Sequence, residues 1–73
     1  MKKKLTYKAI VWREDEQYVA LCLNVDISSC GSTKQQALHA LKEALALYLE
    51  TDDRADLLPV DNAEIVSQEL LYA

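Results

Sequence analysis

Apolar and polar residues alternate along the first part of the chain, which is the pattern of a β-strand with one face buried. In residues 5–13, one face carries Leu5, Tyr7, Ala9 and Val11, and the other carries Thr6, Lys8, Ile10 and Trp12. Residues 14–17 are all polar and predict a hairpin turn, although they contain no Gly. Residues 18–23 form a continuous apolar run, which predicts a second and more central strand. A short third strand is expected over residues 26–30.

A helical pattern begins directly after this third predicted strand. Thr33 is a suitable N-cap residue, and Gln36 stands three positions later as its capping-box partner. The apolar residues that follow repeat at helical spacing and predict one stripe lying on the sheet: Ala37, Leu38, Leu41, Ala44, Leu45, Tyr48 and Leu49. Ala40 and Leu47 form a smaller apolar set beside this stripe. Residues 51–62 are acidic and contain the only Pro, which predicts the end of the helix and a connection.

Residues 63–72 fit both a strand and a helix, and we favour a final strand. The predicted order is then β-β-β-α-β, an α+β fold with one helix packed on one face of a small antiparallel sheet. The chain has 73 residues, 51% of them apolar and 27% charged, which is typical of a folded globular protein. This length accommodates one domain and one core, so we treat residues 1–73 as a single domain.

One helix covers only one face of a sheet, which leaves the second face of the predicted sheet without a partner. That face carries Ile10 and Trp12 beside Lys8, and an apolar patch of this kind is typical of contact with another chain. The alternative is that Trp12 folds down at the sheet edge. A domain this small also needs additional stabilisation, for which association is the simplest source. We therefore expect a homo-oligomer or partner surface, with Ile10, Trp12 and Leu47 as candidate contact residues.

The residues that carry chemistry are few. Cys22 and Cys30 are the only cysteines and His39 the only histidine, too few for a disulfide framework or a four-ligand zinc site. His39 is expected on the exposed side of the helix, Cys22 inside a strand and Cys30 in a more exposed position. No orienting partner for a nucleophile or base is evident, so we predict no catalytic residue, no metal site and no cofactor.

Charge and targeting patterns limit the possible partners and location. The net charge is −4, whereas nucleic-acid-binding domains are usually basic, so direct nucleic-acid binding is not expected. The lysines at positions 2–4 begin like a signal peptide, but the apolar stretch that follows is short and contains Lys8. No stretch approaches the length of a membrane span. The sequence thus favours a cytoplasmic protein with free thiols and no membrane association.

Several of these segments together resemble the HicB antitoxin family. The resemblance covers about residues 5–50 and is carried by residues 18–22, 25–33, 37–38, 42–45 and 47–50. Its most specific parts are the Gly31-x-Thr33 turn that enters the helix and the Glu43-Ala44-Leu45 segment followed by residues 47–50. Asn24 stands where the family often has Pro, and Ser32 stands where it usually has an acid.

The resemblance implies a partial RNase H-like fold and a non-enzymatic function. HicB proteins neutralise HicA, a small basic toxin that cleaves mRNA, by covering its active site in a type II toxin-antitoxin system. Many also carry a DNA-binding domain after this core, and the 23 residues after Glu50 are too few for one. The alternatives are a stand-alone HicB-like oligomeric binding protein without a toxin partner and a degenerate RNase H-like nuclease. Against the nuclease, residues 5–12 contain no acid that binds metal.

Overall fold

The computed structural model describes residues 6–51 and 58–73, and within them it contains one antiparallel sheet and one helix. The elements are β1 (Ala9–Glu14), β2 (Gln17–Cys22), β3 (Ile27–Gly31) and α1 (Lys34–Thr51). The strand order in the sheet is β1-β2-β3, so the apolar run predicted as the central strand does lie in the centre. The helix packs against the sheet, which confirms the predicted α+β arrangement for these four elements.

A two-residue turn joins β1 to β2, in the place where four polar residues predicted a hairpin. Glu14 pairs with Gln17, which leaves Asp15 and Glu16 as the turn residues. Asp15 has a positive φ of 54°, a conformation that Asp tolerates better than most residues other than Gly. The side chain of Arg13 donates a hydrogen bond through Nε to the Asp15 carbonyl oxygen at 3.0 Å. Asp15 therefore supplies the left-handed backbone for which a Gly is usual.

The core lies between the helix and one face of the sheet. Its buried side chains are Ala20, Cys22, Ala37, Leu41 and Leu45, with Tyr7, Ala9, Val11, Tyr18, Val25 and Ile27 partly buried around them. The two predicted faces of β1 are confirmed, since Ala9 and Val11 pack toward the core. Three members of the predicted helix stripe, Ala37, Leu41 and Leu45, are buried in this core, whereas Leu38 at its margin is 39% exposed.

The start of the helix is built as its sequence predicts, with one difference in detail. The backbone N–H of Gln36 donates to Thr33 Oγ1 at 3.1 Å, which is the N-cap hydrogen bond. Gln36 Oε1 accepts a hydrogen bond from the backbone N–H of Ser32 at 3.0 Å, one residue before the expected partner. At Gly31, an added Cβ would lie 2.7 Å from the backbone nitrogen of Ala37, so the helix packs too closely there for a side chain.

The C-terminal segment (residues 58–73) contains neither helix nor strand, so the final strand expected over residues 63–72 does not form. The backbone N–H of Leu58 donates to the Asn24 carbonyl oxygen at 3.0 Å. Beyond this contact, Asn62 adopts a positive φ of 54°, which interrupts the extended direction of the chain. Residues 61–73 are exposed throughout, and a strand requires a neighbouring backbone with which to pair. Leu5 and residues 52–57 lie outside the described residues.

Candidate interaction surface

The sheet face opposite the helix is apolar along β1 and β2. Antiparallel pairing places Ile10 opposite Leu21 and Trp12 opposite Val19, and these side chains project away from the core because strand neighbours alternate between faces. Leu23 extends the same face, since its backbone N–H donates to the Lys8 carbonyl oxygen at 2.8 Å and continues the pairing. We call these five residues the open face: Ile10, Trp12, Val19, Leu21 and Leu23.

The third strand bounds the open face with smaller and more polar side chains. Val19 pairs with Cys30 and Leu21 pairs with Ser28, so the apolar band covers two of the three strands. Trp12 is 37% exposed, and its Nε1 donates a hydrogen bond to Glu14 Oε2 at 3.2 Å. This bond satisfies the polar edge of the indole and leaves the ring itself available for apolar contact.

The C-terminal segment passes one end of the open face. Lys8 Nζ donates a hydrogen bond to the Val60 carbonyl oxygen and lies 3.8 Å from Asp61 Oδ1. A groove of about 250 Å³ then separates Ile10 and Leu23 from residues 63–65. The chain therefore leaves the folded body directly beside the open face.

Large apolar side chains continue along this segment without cover. The exposed ones are Leu58, Ile65, Val66, Leu70, Leu71 and Tyr72. Ile65 is 88% exposed and Leu71 is 99% exposed. Scattered single apolar residues are normal on protein surfaces, whereas a run of this density is typical of an interaction segment.

The three candidate contact residues lie in two different layers of the structure. Ile10 and Trp12 lie together on the open face, as their alternation in the sequence predicts. Leu47 lies on α1, which covers the other face of the sheet, and is 61% exposed. The structure therefore brings two of the three residues into one surface and places the third on a separate one.

The titratable and nucleophilic side chains that the structure describes lie apart from the open face or at its margin. His39 Nε2 and Glu43 Oε1 are 2.6 Å apart on the exposed side of α1. Cys22 is buried in the core and Cys30 is exposed on the third strand, both with free thiols. Within residues 6–51 and 58–73, no three His, Cys, Asp or Glu side chains are grouped as metal ligands would be. The same residues include no helix long and apolar enough to cross a membrane.

An acidic depression lies at the hairpin end of the sheet. Its lining residues are Asp15, Glu16, Gln17 and Ser32. The β1–β2 turn and the turn before α1 meet here because Tyr18 pairs with Gly31. Two adjacent carboxylates on a shallow and solvated surface produce a local negative potential without a defined ligand cage.

No protein-family model, curated protein or solved structure matches this chain. A functional proposal therefore draws on the sequence pattern together with the folded arrangement and its exposed surfaces.

Asn24 is the residue whose importance the sequence patterns did not reveal. Its side chain is buried, with 8% of the residue exposed, and joins two separate parts of the chain. Oδ1 accepts a hydrogen bond from the Lys8 backbone N–H at 2.7 Å, and Nδ2 donates to the Leu58 carbonyl oxygen at 2.6 Å. The only indication in the sequence is that an amide side chain directly follows the apolar run at residues 18–23. A polar residue in that position is usually expected to be exposed to solvent.

Proposed function

We propose that this chain is a HicB-type antitoxin, which binds a small basic HicA-type toxin and covers its RNA-cleaving site. The observation that carries the proposal is that residues 18–50, which contain the segments that carry the resemblance to HicB, form a continuous unit. That unit comprises two antiparallel strands and the helix packed on them, entered through Gly31 and the Thr33 cap. On this proposal the chain is a cytoplasmic, non-enzymatic binding protein.

Charge provides a physical basis for recognising a toxin of this kind. The chain has a net charge of −4, and its hairpin turn presents Asp15 and Glu16 on an open surface. A ribonuclease that binds RNA through a basic face is attracted to such a surface, which speeds encounter. The same contact competes with RNA, because both ligands neutralise the same cationic side chains.

Co-expression with a small basic reading frame encoded beside this one tests the proposal. That reading frame alone is expected to arrest growth and degrade mRNA. Co-expression of this chain is expected to restore growth and to yield a complex that remains together during purification. Absence of such a neighbour, or arrest that continues without any complex, would refute the antitoxin assignment.

A matched pair of charge reversals separates specific recognition from general acidity. Glu16→Lys alters the hairpin turn, whereas Asp26→Lys alters an exposed acid beyond the opposite end of β2. Both variants change the net charge equally. We expect Glu16→Lys to weaken toxin binding by up to about fivefold, corresponding to about 1 kcal/mol for one exposed ionic contact. Asp26→Lys is expected to bind as the unmodified chain does, and equal losses would place the toxin contact elsewhere.

A stand-alone oligomeric binding protein is the second candidate function. The observation that favours it is the exposed apolar surface of the C-terminal segment, which is suited to association without a basic partner. The two functions differ in their genetic context: the second predicts a stable oligomer of this chain and no neighbouring toxin that it can neutralise.

A further inference from the structure

Two apolar surfaces of the chain, one on the folded body and one on the C-terminal segment, lack cover. On the open face Trp12 is exposed, and Ile10, Val19, Leu21 and Leu23 are half-buried. The C-terminal segment presents Ile65, Val66, Leu70, Leu71 and Tyr72, all exposed. The two surfaces are chemically suited to pack on each other, because contact between them removes apolar area from water and so lowers the free energy.

The total exposed area shows how much surface is available for association. The chain exposes 6743 Å², whereas a compact monomer of its 8.3 kDa exposes about 4,600 Å². The excess is about 2,100 Å² per chain, and the exposed residues 61–73 contribute to it. Specific protein–protein interfaces bury about 1,200–2,000 Å² in total. The excess exposed area of each chain is therefore of the size that a specific dimer interface buries.

The geometry of the C-terminal segment indicates that it extends away from its own body. Asn24 and Lys8 hold residues 58–61 at the end of the open face. The eight residues 65–72 span about 26 Å when extended. The radius of gyration is 14.6 Å, compared with about 11 Å for a compact chain of this length. The segment thus begins beside the open face and projects into solvent instead of folding back over Trp12.

We propose that two copies of the chain form a dimer by exchanging residues 65–72, each segment packing on the open face of the partner. The arrangement is isologous, because one two-fold axis relates both contacts and neither apolar surface is left over. Each segment emerges beside its own open face at Ile10 and Leu23, so two bodies placed with open faces toward each other bring each segment to the partner's face.

Light scattering of the purified chain at micromolar concentration, without any toxin, tests the proposal. The unmodified chain is expected at twice 8.3 kDa. The double variant Leu70→Glu/Leu71→Glu and the variant Trp12→Glu are both expected at the monomer mass, with dimer dissociation constants raised at least about 100-fold. Leu47→Glu introduces the same charge at an exposed leucine on α1 and is expected to remain dimeric.

Mixing the two monomeric variants tests exchange directly. Trp12→Glu retains an intact segment and Leu70→Glu/Leu71→Glu retains an intact open face, so the mixture is expected to form heterodimers through one restored contact. The double variant alters only exposed side chains, which keeps the test independent of any effect of Trp12→Glu on folding. Far-ultraviolet circular dichroism verifies that each variant is folded.

Three results would overturn the exchange. The first is that the unmodified chain is monomeric. The segment would then pack on its own body or bind only to a toxin. The second is dissociation by Leu47→Glu but not by Leu70→Glu/Leu71→Glu, which would place the interface on the helix. The third is failure of the mixed variants to associate. Because no toxin is present, each of these results leaves the antitoxin proposal to its own co-expression test.

Discussion

Asn24 illustrates how a single buried polar side chain links distant parts of this small protein. It accepts a hydrogen bond from the backbone before β1 and donates one to the backbone at Leu58, 34 positions later. Leu58 returns a bond from its own N–H to the Asn24 carbonyl oxygen. Both side-chain hydrogen bonds are partly buried. If they are lost, water does not readily replace Asn24 as the partner of the Lys8 N–H and the Leu58 C=O. Asn24 thus determines where the C-terminal segment leaves the body.

Replacing Asn24 with Ala is expected to lower the free energy of unfolding by about 1–3 kcal/mol, because the Lys8 N–H and the Leu58 C=O lose their partners. Urea unfolding followed by the fluorescence of Trp12, the only Trp, measures this at a fixed protein concentration. Gln68→Ala, at an exposed position of the same segment, is the control and is expected to change stability by less than about 0.5 kcal/mol. Equal stability of the two variants would show that the Asn24 contacts are not structural.

At the scale of elements, the hairpin and the start of the helix depend on local backbone chemistry. Asp15 provides a positive φ in the two-residue turn, and Gly31 leaves space for the first turn of α1. Thr33 then accepts the hydrogen bond of an N–H group that the helix itself cannot satisfy. Gly31 and Thr33 thus direct the chain from β3 into α1 within a few residues, which brings Ala37 and Leu41 over the sheet.

Thr33→Ala removes the acceptor for the Gln36 N–H and is expected to cost about 1 kcal/mol, or about 4–8 °C in Tm for a domain of this size. Thr33→Ser preserves the hydroxyl and is expected to retain most of the stability. Thermal unfolding monitored by circular dichroism at 222 nm compares them, and a Ser variant as unstable as the Ala variant would exclude the hydroxyl as the cause.

At the scale of the whole molecule, the protein combines two kinds of surface with different physical behaviour. The hairpin end is acidic and solvated, whereas the open face and the C-terminal segment are apolar. Attraction through exposed charges is screened by salt, and association through apolar area is not. The two proposed contacts, with a basic toxin and with a second copy, are therefore distinguishable by ionic strength.

Raising the salt concentration from about 0.01 M to about 1 M shortens the Debye length from about 30 Å to about 3 Å. We expect the association rate with a HicA-type toxin to fall by at least about tenfold over this range. Dimerisation of this chain is expected to be unchanged or strengthened, because the repulsion between two chains of net charge −4 is also screened. Stopped-flow fluorescence measures the first and sedimentation equilibrium the second, and a salt-insensitive toxin association rate would argue against electrostatic recognition.

Local patterns in the sequence predicted the elements that are present and the faces that they use. Alternation in β1 separated Ala9 and Val11 from Ile10 and Trp12, and helical spacing identified Ala37, Leu41 and Leu45 as the inner stripe. Such predictions succeed because burial on one face imposes a period of two on a strand and of about 3.6 on a helix. The hairpin turn and the helix cap were likewise determined by residues within four positions of each other.

What tertiary structure alone decided concerns residues far apart in the chain. Three findings depend on non-local contacts. They are the pairing of Asn24 with Leu58, the position of Leu47 away from Ile10 and Trp12, and the absence of a strand over residues 63–72. The apolar residues within residues 63–72 predicted a final strand, but a strand forms only where an unpaired backbone is within reach, and this segment is exposed. The sequence by itself thus determined the sheet, the helix and their apolar faces, because these follow from local periodicity. The path of the C-terminal segment was decided only by the folded structure, because it depends on which distant groups are available to bond.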